Sequence, residues 1–387
     1  MTDSTAKPIR LGLMSPLTGL VSIYGQEIAW AGRIACDEVN AAGGVLGRRL
    51  ELIVEDDGSL PETAVPAAER LLDEHGCTAL IGNLLSNSRI AVASQVAEAR
   101  QAPYLNFSFY EGSIQSRYFF HFAALPNQQI EPMIPYMARA IGPKMFFAGS
   151  NYEWPRGSID AATRALRDLG GDVVGEEYLP LGSAPIDKLL DRVRRSGADV
   201  FVPYFAGAEQ ARLLTRFSQL GLKRRMAVVM GHYDEAMAAT LAPEVREGFY
   251  SCNTYFMALD TPVNRRYLTA LAALPGVSGI WPDGNGVLTN FGEGVYLCVH
   301  AFARAANQAG SLETQALLDA LEHIEIEGPQ GRVRMDPATH HAHVNTYLAR
   351  ATFEGRFEIV TTFGCLPPHI PERYRQVTGP VMPSLPE

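Results

Sequence analysis

Met145-Phe146-Phe147-Ala148-Gly149-Ser150-Asn151-Tyr152-Glu153-Trp154-Pro155-Arg156 is the stretch that decides how this chain is read. Its apolar opening is short enough for a buried strand, and Gly157 to Leu169 follows with helical spacing. A strand that ends in Gly-Ser and then carries two aromatic residues one position apart sets two large rings at its carboxyl end. In open α/β sheets ligands bind at that end. Tyr152 and Trp154 supply contact area at small entropy cost, and hydroxyls beside them can orient a small polar molecule. The same two rings also fit a plain core cap.

Strand-like and helix-like segments alternate on both sides of this unit. Ile9-Met14, Leu50-Glu55, Thr78-Ile81 and Tyr104-Phe107 read as strands. Between them lie helices at Tyr24-Ala42, Pro61-His75 and Ser88-Arg100. Gly43-Gly44 closes the first helix, because glycine takes the left-handed cap without strain. A second series starts at Lys144, with strands Asp172-Tyr178, Asp199-Tyr204, Met226-Met230 and Gly248-Asn253. This is the pattern of parallel sheets with right-handed crossovers. Near the end, Arg332-Met335, Val344-Phe353 and Phe357-Thr362 alternate apolar and polar, with Glu354-Gly355 as a hairpin turn. Pro367 to Glu387 is proline-rich and reads as an irregular tail packed on the body or on a partner.

At 387 residues the chain exceeds one ordinary core, so two domains are expected. The formal charge of -9 excludes nucleic acid as a direct partner, since phosphate binding needs a basic face. Met1 to Pro8 is polar and Ile9-Met14 is too short for a leader's apolar core. The expectation is therefore cytoplasmic if this start is native and periplasmic if a leader was removed. Cys36, Cys77, Cys252, Cys298 and Cys365 are widely spaced, without C-x-x-C or zinc spacing, and read as reduced thiols.

Asn40-Ala41-Ala42-Gly43-Gly44-Val45-Leu46-Gly47-Arg48-Arg49-Leu50, followed by Asp56-Asp57-Gly58-Ser59-Leu60-Pro61, resembles the amino-terminal signature of the leucine/isoleucine/valine-binding type of solute receptor. Gly149 to Arg156, with Asp260-Thr261-Pro262 and Gly328-Pro329-Gln330-Gly331, resembles the urea- and short-chain-amide-binding branch. That branch includes the cytoplasmic amide-sensing negative regulator of a bacterial amidase operon. The likeness runs from about Ile9 to about Gly364. It implies an α/β type I periplasmic-binding fold: two doubly wound Rossmann-like lobes joined by three crossovers. Lobe I is expected at 8–123 plus 254–328, lobe II at 124–253 plus 329–365, and the tail at 366–387. The crossovers are expected near Phe122-Leu125, Cys252-Thr254 and Gly328-Gly331, where two glycines can absorb rotation.

The resemblance also implies a pocket. One lobe would supply Ser86 and Ser108, with Asn106 nearby; their hydroxyls suit a carbonyl or carboxylate oxygen, although both also fit ordinary helix capping. The other would supply Tyr152, Trp154, Tyr204, Phe205, His232 and Tyr233. Trp154 stands where the branch often has Tyr or Phe, so the pocket is reshaped. His232 fits a ligand contact or a hydrogen-bonded helix start, and Asp234 reads as a helix cap. A urea-sized guest could gain at most about 6 kcal/mol, so the aromatic walls point to something larger.

No cofactor is expected. Ser15-Pro16-Leu17-Thr18-Gly19 follows the first strand, where a nucleotide fold needs G-x-G-x-x-G. His340, His341 and His343 cluster without a carboxylate to complete a metal site. Glu27, Glu111 and Glu153 have no nucleophile beside them. The leading expectation is a non-catalytic ligand sensor for an amide-, urea- or amino-acid-like molecule. Its partner would be an RNA-binding antitermination regulator, and a homodimer is allowed. The alternative is the substrate-binding component of an ABC importer, with a permease as partner. An amide-processing enzyme is a remote third.

Overall fold

The computed structural model describes residues 6–375; the part of the proline-rich tail from 376 on, and the first five residues, lie outside them. Strand β1 (Ile9–Ser15) is buried at every position but Arg10, as expected for a parallel strand covered on both faces. It lies between β2 (Leu50–Asp56) and β3 (Ala79–Ile81), both parallel to it. Then come β4 (Tyr104–Asn106) and β5 (Phe119–His121). The order β2-β1-β3-β4-β5 reverses direction between β1 and β3, which opens a crevice at their carboxyl ends.

The second lobe repeats the device with β6 (Lys144–Ser150), β7 (Asp172–Leu179), β8 (Val200–Tyr204), β9 (Ala227–Met230) and β10 (Tyr250–Asn253). Its order β7-β6-β8-β9-β10 reverses between β6 and β8. Both crevices face the space between the lobes. Residues 122–125 lead from β5 into helix Pro126–Ala140, which packs on helix Glu153–Arg167 of the second lobe. After β10 the chain returns to helices Pro262–Ala272 and Asn290–Ala309, the latter packed on helix Gly25–Ala41.

The third passage corrects the sequence expectation. Gly328-Pro329-Gln330-Gly331 is the turn of a hairpin between β11 (Glu325–Gly328) and β12 (Gly331–Asp336). Its Gln330 is pinned: the amide donates to Glu293 Oε2 (2.9 Å) and accepts from Asn345 N (2.9 Å). The strand that spans the lobes is β13 (His341–Ala351). It pairs with β12 and, at His341, with β5, then with β10 from Tyr347 to Arg350. Eleven residues are long enough to belong to both sheets. β14 (Phe357–Leu366) closes the second-lobe edge against β13.

Candidate ligand-binding site

The switch-point loops of the two lobes meet around a small, tightly closed cavity of about 20 Å³. On the first-lobe side it is lined by Val21 and Tyr24 after β1, Leu84, Leu85 and Ser86 after β3, Ser108 and Phe109 after β4, and Phe291. On the second-lobe side stand Tyr152 and Trp154 after β6, Ala206 and Gly207 after β8, and His232 after β9. The lobes are in close contact here. A Cβ on Gly207, whose φ is +54°, would lie 1.9 Å from the Leu20 carbonyl oxygen. On the opposite flank a Cβ on Gly157 would lie 2.6 Å from Glu111 Cβ.

The first-lobe wall is hydrogen-bonded within itself. Ser86 Oγ donates to Glu111 Oε2 (2.7 Å) and accepts from Arg89 Nη1 (3.1 Å). Arg89 is fully buried and also donates to the Asn83 and Leu84 carbonyls. Ser108 Oγ donates to Leu84 O (3.1 Å), with Phe109 O at 3.2 Å. Both hydroxyl protons are thus engaged within the protein, and oxygen lone pairs remain for a guest.

The second-lobe wall is aromatic and less satisfied. Trp154 stands edge-on to His232 (centroids 4.9 Å, 88°) and to Tyr204 (5.6 Å, 77°), and meets Phe109 of the first lobe at 5.7 Å. Neither ring nitrogen of His232 has a partner among the described residues, nor does the Tyr204 hydroxyl. Burial pushes the His232 imidazole down to about 3, so it is neutral at pH 7 and offers one donor and one acceptor. None of the side chains lining the cavity carries a formal charge.

Carboxylates lie just behind. Asp234 caps helix Glu235–Ala239 by accepting from Met237 N (2.9 Å), and burial raises it to about 7. Glu235, whose Oε1 accepts from Met257 N, and Glu27, which accepts from Thr289 Oγ1, are each raised to about 8, mainly by desolvation.

Of the residues expected from sequence, Ser86, Ser108, Tyr152, Trp154 and His232 are brought together at the cavity, and Tyr204 backs Trp154 from one layer behind. Three are not. Asn106 donates to Gly82 O (2.7 Å) and Asn83 O (3.2 Å), and so holds the turn that carries Ser86. Phe205 points into the second-lobe core. Tyr233 does the same, edge-on to Phe249 and Phe357 with its hydroxyl donating to Arg246 O (2.9 Å). Neighbours at a strand end face opposite sides of the sheet, so Tyr204 and His232 turn inward and Phe205 and Tyr233 cannot. Tyr24 and Phe291 were not anticipated. The loop after β1 could have been named from the switch-point rule, whereas Phe291 arrives from a distant helix with no local signal.

Comparison with known proteins agrees with this architecture. The family model described as periplasmic binding protein matches residues 8–356. The leucine-, isoleucine-, valine-, threonine- and alanine-binding protein of Pseudomonas aeruginosa is 26% identical over 337 residues, covering 86% of each chain. Leu/Ile/Val-binding protein homolog 8 of Brucella abortus is 24% identical, covering 84% of this chain and 82% of its own. Among solved structures, a solute-binding protein of an ABC transporter from Rhodopseudomonas palustris, in complex with 3,4-dihydroxybenzoic acid, superimposes with a TM-score of 0.83. It is 18% identical, covering 95% of this chain and 99% of that one. A branched-chain amino acid transporter substrate-binding protein from Streptococcus pneumoniae, in complex with isoleucine, gives 0.80 at 19% identity, covering 93% and 100%. With a two-lobed sheet, a cavity between the switch points and a family match over most of its length, the chain belongs to the periplasmic binding protein family.

Proposed function

We propose that this chain is the solute-capturing receptor of an ABC importer and that its guest is a small amide-like or amino-acid-like molecule carrying N–H donors. The observation that carries this reading is the direction of the Ser86 and Ser108 protons. Both hydroxyls donate to acceptors of the protein itself, Glu111 and backbone carbonyls, and keep lone pairs for a guest. A guest with N–H groups completes them, and neutral His232 can pair with either a carbonyl or an N–H. The uncharged lining favours a guest of no net charge, and the aromatic wall favours one with an apolar body. Likeness to substrate-binding proteins of transporters supports the transport role. The sensor role, with an antitermination regulator as partner, rests on the resemblance of Gly149–Arg156, Asp260–Pro262 and Gly328–Gly331 to the amide-binding branch. Nothing in the cavity calls for bond-making chemistry.

A thermal-shift screen tests the ligand class, because binding to the folded state raises its midpoint. Short-chain amides, urea derivatives, branched-chain amino acids and hydroxybenzoates form the arms. A midpoint rise with an amide or amino acid is expected. A rise only with hydroxybenzoates would reject the N–H reading and keep the receptor.

A further inference from the structure

We propose that residues 367–375 form a strap that holds the two lobes in their closed arrangement, with Tyr374 as its clasp and as a positioning residue for the ligand cavity. The segment lies beyond the 8–356 span of the family match. It leaves β14 at the hinge side. Asn127 Nδ2 donates to Pro367 O (2.8 Å) and Asn127 Oδ1 accepts from His369 N (2.9 Å), which anchors the strap on helix Pro126–Ala140.

From there it runs to the flank of the cavity, where it grips both lobes. Toward the first lobe, Ile370 packs on the core cluster that contains Tyr110, Ile114 and Leu125, and Gln115 Nε2 donates to the Tyr374 carbonyl. Toward the second, the Tyr374 hydroxyl donates to Glu153 Oε1 (2.5 Å), and Arg373 lies 3.6 Å from the same carboxylate. The Tyr374 ring is buried, 6% exposed, although it sits near the end of the described chain. A Cβ on Gly157 would lie 2.7 Å from its hydroxyl and 2.6 Å from Glu111 Cβ, so strap, first lobe and second lobe converge at one point.

The Glu153 contact reaches the cavity in one step, and Glu111 of the first lobe meets the same Gly157 that Tyr374 packs on. Glu153 opens the helix that carries Trp154, next to Tyr152. Glu111 holds the Ser86 hydroxyl. A hinge opening that separates Glu111 from Gly157 must pull Tyr374 from either Gln115 or Glu153. The strap therefore biases the equilibrium toward closure before any guest arrives, and a pre-closed receptor has less conformational change to make on binding.

The test compares a chain stopped after Leu366 with one stopped after Arg375, both without ligand. Each carries Trp30→Phe and Trp281→Phe, so that Trp154 is the sole indole. Small-angle X-ray scattering reads lobe separation and acrylamide quenching reads Trp154 access. The chain stopped after Leu366 is expected to show a larger radius of gyration and a severalfold rise in quenching. The chain stopped after Arg375 should match the full chain. Tyr374→Ala, in the full chain, should shift both readouts the same way and serves if the shorter truncation fails to fold by circular dichroism. Equal compactness and equal quenching in the strapless chain, or in Tyr374→Ala where that serves, would overturn the proposal. Because the comparison needs no ligand, failure to find any solute that binds would count against the receptor reading and leave the strap result standing.

Discussion

The two walls of the cavity are built on opposite principles. The first-lobe wall fixes two hydroxyls among apolar side chains: Ser86 is held between Arg89 and Glu111, and Ser108 is tied to its own loop. The second-lobe wall is aromatic, and its polar atoms wait: among the described residues both His232 nitrogens are buried without partners, as is the hydroxyl of Tyr204 one layer behind. A buried polar group without a partner costs about 1–3 kcal/mol, so a guest that pairs with His232 relieves a cost that the two serines, whose protons are already engaged, do not carry. The difference teaches that one lobe supplies a rigid template and the other supplies the driving force for closing on it.

The largest expected effect comes from keeping the walls apart. Gly207→Val places a side chain against the Leu20 carbonyl at a backbone angle that disfavours any Cβ. Overpacking of this kind costs about 1–3 kcal/mol, so affinity for the solute found by screening should fall by tenfold or more in calorimetry. Undiminished affinity would break the claim that the lobes must meet there. Trp154→Ala comes next. It strips the aromatic wall and should weaken binding by about 2 kcal/mol, the scale of an aromatic hot spot. A loss under twofold would move the binding energy to the first lobe.

Ser86→Ala tests the template. Arg89 and Glu111 would each lose a buried partner, so the unliganded protein should lose about 1–3 kcal/mol in denaturant unfolding, before any ligand is considered. No change would mean that the first wall is not preorganised in the sense argued here.

The smallest effect is a pH dependence set by His232 and the carboxyls buried behind both walls. His232 has a folded-state value near 3, below its ordinary one, so its contribution is lost as pH falls below about 6.5. Glu235 and Glu27, near 8, and Asp234, near 7, are raised, so theirs is present at low pH and lost as pH climbs toward 8. Above the ordinary carboxylate range the three carboxyls outweigh the one imidazole, so the stability these groups contribute should fall steadily as pH climbs from about 5 to 8. Glu235→Gln should flatten the slope between pH 6 and 8 by under about 1 kcal/mol per pH unit. An unchanged slope would show that Glu235 is not held protonated.

How much of this was legible follows from the same physics. The short apolar run Met145–Ala148 inside β6 and the helical spacing after it announce a buried strand with rings at its end, and Tyr152 and Trp154 stand where that reading puts them. Paired neighbours defeated it: nothing in Tyr204-Phe205 or His232-Tyr233 says which member faces the cleft, since that depends on where the strand stops twisting into the loop. Three-residue strands such as β5 carry no periodicity, and Pro132 and Pro135 disguise helix Pro126–Ala140 as a broken segment. The Gly328–Gly331 turn looked like a hinge because glycines permit rotation. Only the strand register shows that β13 makes the third passage, and register is a property of two chain segments rather than one.

The central claim is that a small solute sits between the Ser86 wall and the Trp154 wall. The most direct measurement is a fluorescence titration of the Trp30→Phe/Trp281→Phe protein with the solute found by thermal shift, run beside calorimetry on the same sample. The account predicts a saturable change in Trp154 emission, with one-to-one stoichiometry and the calorimetric affinity. Calorimetric binding with Trp154 emission unchanged would place the solute elsewhere and contradict it.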